Sequence, residues 1–298
     1  MNVMNEMAPQ SQRTPARAMT RHGLIIAVAM VGAAVGVTYD AWKDILRIGI
    51  KDEECSYVLL APFVIGWLAW VRRSLARESP VRAGWVGVVI IAAGWLVHWY
   101  GYLADPVIWR AGAVMVAAGA LVAVVGFDVS WKLAPALAAF VFLIPVDPTG
   151  RYHVAQPLQT VTADAAQRVC DFLGMYVDRA GNLLSINGVD VTVAEACNGM
   201  RMVLTLFMVC YVVAFTLPLR AYVRVLLLAA SPLVAIVSNV VRLVPTVWMF
   251  GHTSVATAER FHEISGWVMT VLAFGLLMAF CGMLRSKAGP AAVPGPAV

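Results

Sequence analysis

The sequence predicts an all-α polytopic membrane protein of about eight transmembrane helices, with a small extracytoplasmic cap made of an amphipathic helix and a β-hairpin. Three observations point there. Of the 298 residues, 61% are hydrophobic and only 13% are charged, about half the charged share of a soluble domain. The apolar residues gather in runs close to the roughly 20 residues that a spanning helix needs. The basic residues stand beside those runs, where the positive-inside rule puts them. That placement accounts for the net charge of +5, so no nucleic-acid partner is expected.

The spans fall at roughly 23–42, 57–71, 85–102, 107–126, 131–147, 199–218, 222–246 and 263–284. The first follows Arg13, Arg17 and Arg21; it is long and has no convincing small-residue cleavage site, so it reads as a retained anchor. The second and fifth are short and carry Pro62, Pro135 and Pro145, which leaves their limits loose. With eight spans, five basic clusters share one side. They are the N-terminal arginines, then Arg72, Arg73, Arg77 and Arg82, then Lys132, then Arg220 and Arg224, and last Arg285 and Lys287. That side is the cytoplasm. Lys43, Arg47 and Lys51 fall outside, accompanied by Asp44, Asp52, Glu53 and Glu54. The organisation expected is a cytoplasmic tail over 1–22, one integral domain over 23–285, and a disordered cytoplasmic tail over 286–298.

The longest connection, 148–198, is then extracytoplasmic. Val154, Leu158, Val161, Ala165, Val169 and Phe172 recur at steps of three and four, the signature of an amphipathic helix, expected along the membrane surface. Asn187-Gly188 between Leu183–Ile186 and Val189–Val193 is a hairpin signal, because both turn residues need positive φ.

The five cysteines are odd in number and match no zinc spacing, so no metal or cofactor is expected. Cys210 and Cys281 lie inside apolar spans and read as small hydrophobes. Cys55, Cys170 and Cys197 fall in hydrophilic or boundary segments on the outer side. A Cys55–Cys170 disulfide is left open there.

Cys197 stands at the outer mouth of span six, Arg242 at the outer end of span seven, and His262 just before span eight. Separated in sequence, the three share one membrane depth. Asn198 is a good N-cap, which would put Cys197 at the positive end of a helix. That position and a neighbouring cation both lower a thiol pKa. Arg242 can stabilise an oxyanion and His262 can carry a proton. Asn239, three residues before Arg242, shares its helix face and would orient the guanidinium. On the residues alone plainer readings stay open: an inert boundary cysteine, a snorkelling arginine, or His252 in place of His262. Glu195, Arg201, Glu259 and Glu263 also fit ordinary interfacial charges.

Three motifs carry a resemblance. They are Glu195-Ala196-Cys197-Asn198-Gly199-Met200-Arg201, then Ser238-Asn239-Val240-Val241-Arg242, then Phe261-His262-Glu263-Ile264-Ser265-Gly266-Trp267. In this order, each at a span mouth, they resemble the exosortase/archaeosortase family of membrane transpeptidases. Tyr57 to Pro62 and Leu158-Gln159 support the match. The resemblance implies Cys197 as nucleophile with Arg242 and His262 as partners, and Asn198, Asn239 and Arg201 as orienting residues. Two positions depart from many members: Asn198 stands in place of serine, and Ser56-Tyr57-Val58 in place of Ser-His-Gly. His262, where the archaeal branch tends to carry arginine, resembles the bacterial branch. The implied function is cleavage of a C-terminal sorting signal, made of a PEP-like motif, a helix and a basic tail, from exported proteins at the inner membrane. The exported part would pass through a Cys thioester to an acceptor. A plain cysteine protease using water, or a non-enzymatic transporter or scaffold, are the alternatives. The partners expected are exported proteins carrying such signals and the lipid bilayer.

Overall fold

The computed structural model describes residues 21–77, 84–193 and 199–288. The N-terminal residues 1–20, the C-terminal residues 289–298 and the run that holds Glu195, Cys197 and Asn198 lie outside them.

Helix α1 (Arg21–Val37) ends earlier than expected, and the chain bends by 86° into α2 (Tyr39–Lys51). Thr38 marks the break. Its hydroxyl donates to the Ala34 carbonyl at 2.8 Å and accepts from the Trp42 indole at 3.1 Å. Helix α2 buries Ala41, Ile45 and Gly49 at every fourth position and carries charges elsewhere, so it packs along one edge of the bundle. A 3₁₀ turn (Glu53–Leu59) and α3 (Ala61–Val71) then form one apolar rod, followed by the short α4 (Arg73–Arg77).

Helices α5 (Trp85–Ala104) and α6 (Pro106–Val125) make a tight hairpin. Asp105 caps α6 by accepting from the amides of Val107 and Ile108, at 2.7 and 3.1 Å. Gly87, Gly94 and Gly101 recur every seven residues on α5, and a Cβ at any of them would collide with α6 at Ala123, Met115 or Trp109. The two backbones touch because these positions have no side chain.

The fifth expected span is a chain of short pieces: α7 (Phe127–Lys132), α8 (Ala134–Ala138) and a 3₁₀ turn (Ala139–Leu143). It still runs the length of the rod. Arg72, at one end of the rod, reaches the Lys132 carbonyl. The Tyr57 hydroxyl, near the other end, donates to the Ile144 carbonyl at 3.2 Å and accepts from the Val146 amide at 3.4 Å. The cap follows, with α9 (Pro148–Phe172) and strands β1 (Asp178–Ala180), β2 (Leu183–Ile186) and β3 (Val189–Thr192). Helices α10 (Gly199–Thr216), α11 (Ala221–His252) and α12 (Val255–Ala288) complete the described chain.

Among the described residues five helices are long and apolar enough to cross a membrane, or six with the bent pair counted as one span. Two of the eight expected spans correspond to shorter apolar helices, Ala134–Leu143 and Val203–Thr216. Pro135 stands in the first turn of α8 and has no N–H to carry the helix on from α7, so the fifth span is split there. The start of the expected C-terminal tail is helical through Ala288.

The cap is a three-stranded antiparallel meander beside α9. The Asn187-Gly188 turn has φ of 51° and 78°, the left-handed geometry that the hairpin reading required. The amphipathic helix forms, and the face that packs on protein lies apart from its large apolar stripe. Thr162, Ala163, Ala166 and Cys170 pack inward, while Val154, Val161, Val169 and Phe172 are exposed. The inward face joins Leu184, Ile186, Val191 and Val193 of the sheet region and Leu243, Val244 and Val247 of α11 in one core.

The Cys55–Cys170 pairing is overturned: both are free, buried thiols in separate cores. The Arg151 guanidinium sits 3.4 Å from Cys55 Sγ and also pairs with Asp52 and Glu54, at 2.7 and 3.1 Å. Cys170 lies 19 residues farther along the same helix, about 28 Å away at 1.5 Å per residue. A disulfide needs Cα atoms within about 7 Å.

A partly buried ion pair ties α2 to α6. Arg110 Nε lies 2.8 Å from Asp44 Oδ2, with 10% of the arginine and 28% of the aspartate side chain exposed. Asp44→Ala strands the arginine charge, so the variant is expected to lose about 1–3 kcal/mol. Thermal unfolding in detergent measures it, and an unchanged midpoint would show the pair to be dispensable.

Candidate functional site

The site is built on the α11–α12 hairpin. Both helices run past their expected limits: α11 continues beyond 246 to His252, and α12 begins at Val255 rather than 263. Val244 and Val247 seat the last turns of α11 in the cap core, and Asn187 of the β-turn donates to the Gly251 carbonyl at 3.1 Å. Arg242 stands ten residues before the end of α11, and His262 seven residues into α12. In an antiparallel hairpin at 1.5 Å per residue, both lie roughly 10–15 Å below the turn.

Arg242 is 9% exposed and shares a buried polar stripe of α11 with Ser238, Asn239 and Thr246. Pro245 has no N–H to offer the Val241 carbonyl, and the Thr246 hydroxyl donates to the neighbouring Arg242 carbonyl at 2.8 Å. The guanidinium reaches across to α12. A Cβ placed on Gly266 would stand 2.8 Å from Arg242 Nη1. His262 is one turn above Gly266 on the same helix face, and Arg242 and Glu263 are the charges that act on it. The imidazole Nδ1 is buried and has no hydrogen-bond partner among the described residues. A buried, unpaired ring nitrogen is a place for a proton to arrive or leave. The Ser265 hydroxyl donates to the His262 carbonyl at 3.0 Å. Asn239 is buried on the Arg242 face beside Ser238, whose hydroxyl is buried one turn from Arg242 and has no hydrogen-bond partner among the described residues.

His252 lies elsewhere. It is exposed at the hairpin tip, stacked on Trp248 at 4.9 Å, ten residues and so about 15 Å from Arg242 along α11. Cys197 and Asn198 are outside the described residues, as is the Arg201 side chain, although its backbone belongs to the first turn of α10. On the near side of that interval, Val193 is fully buried in the cap core with Leu243 and Val244, the residues next to Arg242. Of the supporting motif residues, Tyr57 clamps the 144–146 segment, and the Gln159 side-chain oxygen accepts from Asn182, joining α9 to the sheet. Burial, with Asp171 adjacent, pushes the Cys170 thiol above its ordinary pKa, which suits an inert thiol.

Three residues of this arrangement escaped the sequence reading: Gly266, Ser238 and Ser265. All three stand inside the quoted motifs. Gly266, four residues from His262, is the one whose signal was available, since a glycine inside a long apolar helix costs stability unless a neighbour needs the space. Gly266→Ala is expected to leave the fold intact, because the atom it meets ends a flexible side chain, and to displace the guanidinium. Misplacement of about 1 Å can cost around 10²-fold, so processing should fall at least tenfold with an unchanged melting temperature. Unchanged processing would show that the seat does not matter.

A family model described as transmembrane exosortase matches residues 42–279. The chain belongs to the transmembrane exosortase family. The exosortase match runs from α2 almost to the end of α12 and takes in the cap, Arg242, His262 and the interval that holds Cys197. With its several apolar helices, this exosortase is a multi-pass membrane protein. No curated protein and no solved structure matches the chain.

Proposed function

We propose that this exosortase is a cysteine transpeptidase of the bacterial inner membrane, which removes C-terminal sorting signals from exported proteins on the periplasmic side. The observation that carries the reading is the seat of Arg242 on Gly266, one turn from an imidazole with an open Nδ1, beneath the cap. Cys197 gives its thiol proton to His262 and its Sγ attacks the scissile carbonyl, while Arg242 holds the oxyanion. The C–N bond then breaks, and His262 gives its proton to the leaving amine. The released piece is the signal's helix and basic tail. The exported part remains as a thioester until an acceptor amine, losing its proton to His262, takes the acyl group and frees the thiol.

Eight crossings, with both termini cytoplasmic, belong to this reading. The pieces from Lys132 to Ile144 run from one end of the rod to the other, and α10 returns to the Arg72 end, where Phe215 meets Arg72. The outward stripe of α9 rests on the bilayer surface.

The test uses full-length protein in proteoliposomes with an anchored substrate that ends in a short motif, a helix and a basic tail. Hydroxylamine should divert the exported part to a hydroxamate, and the mass of the normal product should include an acceptor. A product lengthened only by water makes the protein a protease. No cleavage by the wild type favours a transporter or scaffold.

A further inference from the structure

At the end of the bundle away from the cap, two arginines converge on one aromatic ring. Arg72 follows the rod, and Arg224 stands in the first turns of α11; their guanidinium carbons lie 5.9 and 5.5 Å from the Phe215 ring centre. Arg72 reaches the Lys132 and Phe215 carbonyls through Nη1 and Nη2, both at 3.4 Å. The Nε of each arginine is buried and has no hydrogen-bond partner among the described residues. Neither meets a carboxylate among the described residues, where the ion pairs of Arg110, Arg151, Arg168 and Arg179 all lie elsewhere. The start of α11 adds to the excess of positive charge, with no side-chain cap and no acid in its first turn. Burial first, and the neighbouring Arg224 second, hold Arg72 below the ordinary arginine range. An arginine that merely snorkels keeps its head in water. These two are held against a ring and against each other, with no counter-charge among the described residues.

We propose that the Arg72–Phe215–Arg224 cluster binds the phosphate of an anionic lipid headgroup. Two planar guanidinium forks suit phosphate oxygens better than ammonium groups would. The surroundings argue for a lipid over a dissolved ion. Trp67 and Trp70 are exposed beside the cluster, Trp67 donates to the Thr216 hydroxyl at 3.0 Å, and Arg73 stacks on Trp70 at 4.0 Å. An aromatic surface next to a pair of cations is the pattern of a helix end at headgroup level. The site is independent of the reaction proposed above.

The experiment uses full-length protein in lipid-free detergent, with phosphatidylglycerol, phosphatidylcholine or inorganic phosphate added. Bound lipid is read by native mass spectrometry and stability by thermal unfolding. The wild type should retain phosphatidylglycerol and gain melting temperature with it. Arg72→Gln and Arg224→Gln should each retain at least tenfold less, whereas Arg168→Gln, on the exposed side of α9 in the cap, should change retention less than twofold. Without lipid, Arg224→Gln should melt no lower than the wild type, because it removes a repulsion. Equal retention by both glutamine variants overturns the site, and so does a lower lipid-free melting point for Arg224→Gln. Displacement by inorganic phosphate at equal concentration would overturn the lipid assignment in favour of a soluble anion. Equal retention of phosphatidylcholine would overturn the requirement for net negative charge.

Discussion

Cys197→Ala is expected to abolish processing while the protein remains inserted and folded. Alanine is tolerated at a helix start, so the loss should be chemical. Removing the nucleophile from an acyl-transfer enzyme costs about 10⁶ in rate in a well-studied protease, which in a membrane assay is no detectable product. The other thiols provide the contrast. Cys170 packs in the cap core, Cys210 and Cys281 in the core between α10, α11 and α12, and Cys55 under Arg151. Alanine at Cys170, Cys210 or Cys281 should process nearly normally. Cleavage by Cys197→Ala, followed by gel mobility of the substrate, would remove the nucleophile from the scheme.

His262→Gln is the second large effect. Glutamine keeps a polar side chain of similar reach but cannot exchange a proton near neutral pH. General acid–base catalysis contributes about 10²–10⁴, and a loss of that size is expected. The limb of the pH–rate profile that follows imidazole titration should flatten with it. His252→Gln should do neither, since that ring is stacked on Trp248 at the exposed tip. An essential His252 beside a dispensable His262 would mean that the wrong histidine had been assigned. Arg242→Lys completes the comparison. It keeps the charge and loses the planar fork, and should lower the rate by roughly 10²–10³, the usual cost of one oxyanion donor.

What could be read from the sequence, and what could not, divides along physical lines. The β2–β3 hairpin was legible because the Asn187-Gly188 turn demands a backbone geometry that few residue pairs accept. Strand β1 was not: Asp178-Arg179-Ala180 has no alternation, and its Arg179 is held by a tertiary ion pair with Asp164 at 3.0 Å. Helix α9 was legible as a helix with an apolar stripe, but the face that packs on protein was not. In a membrane protein, an apolar stripe can face either lipid or protein. The side that packs on α11 uses Ala163, Ala166 and Cys170, because close approach favours small residues. Arg242 and His262 could be placed at one depth by counting residues from the span ends. Counting could not show that Arg242 crosses to α12, because that contact depends on the missing side chain of Gly266.

The shared core of α9, the sheet and α11 also fixes an order of events during synthesis. The cap, residues 148–193, leaves the ribosome before α11 does. Until α11 arrives, Ala163, Ala166, Leu184, Ile186 and Val191 have no partner on that side. A nascent chain halted between Thr216 and Ala221 would present this apolar face to proteases and chaperones. The insertion of α11 closes it, and the bond from Asn187 to Gly251 completes the joint. Closure of this core and protection of the cap from quality control are therefore one step, and a chain that fails to insert α11 should be degraded from the cap inward.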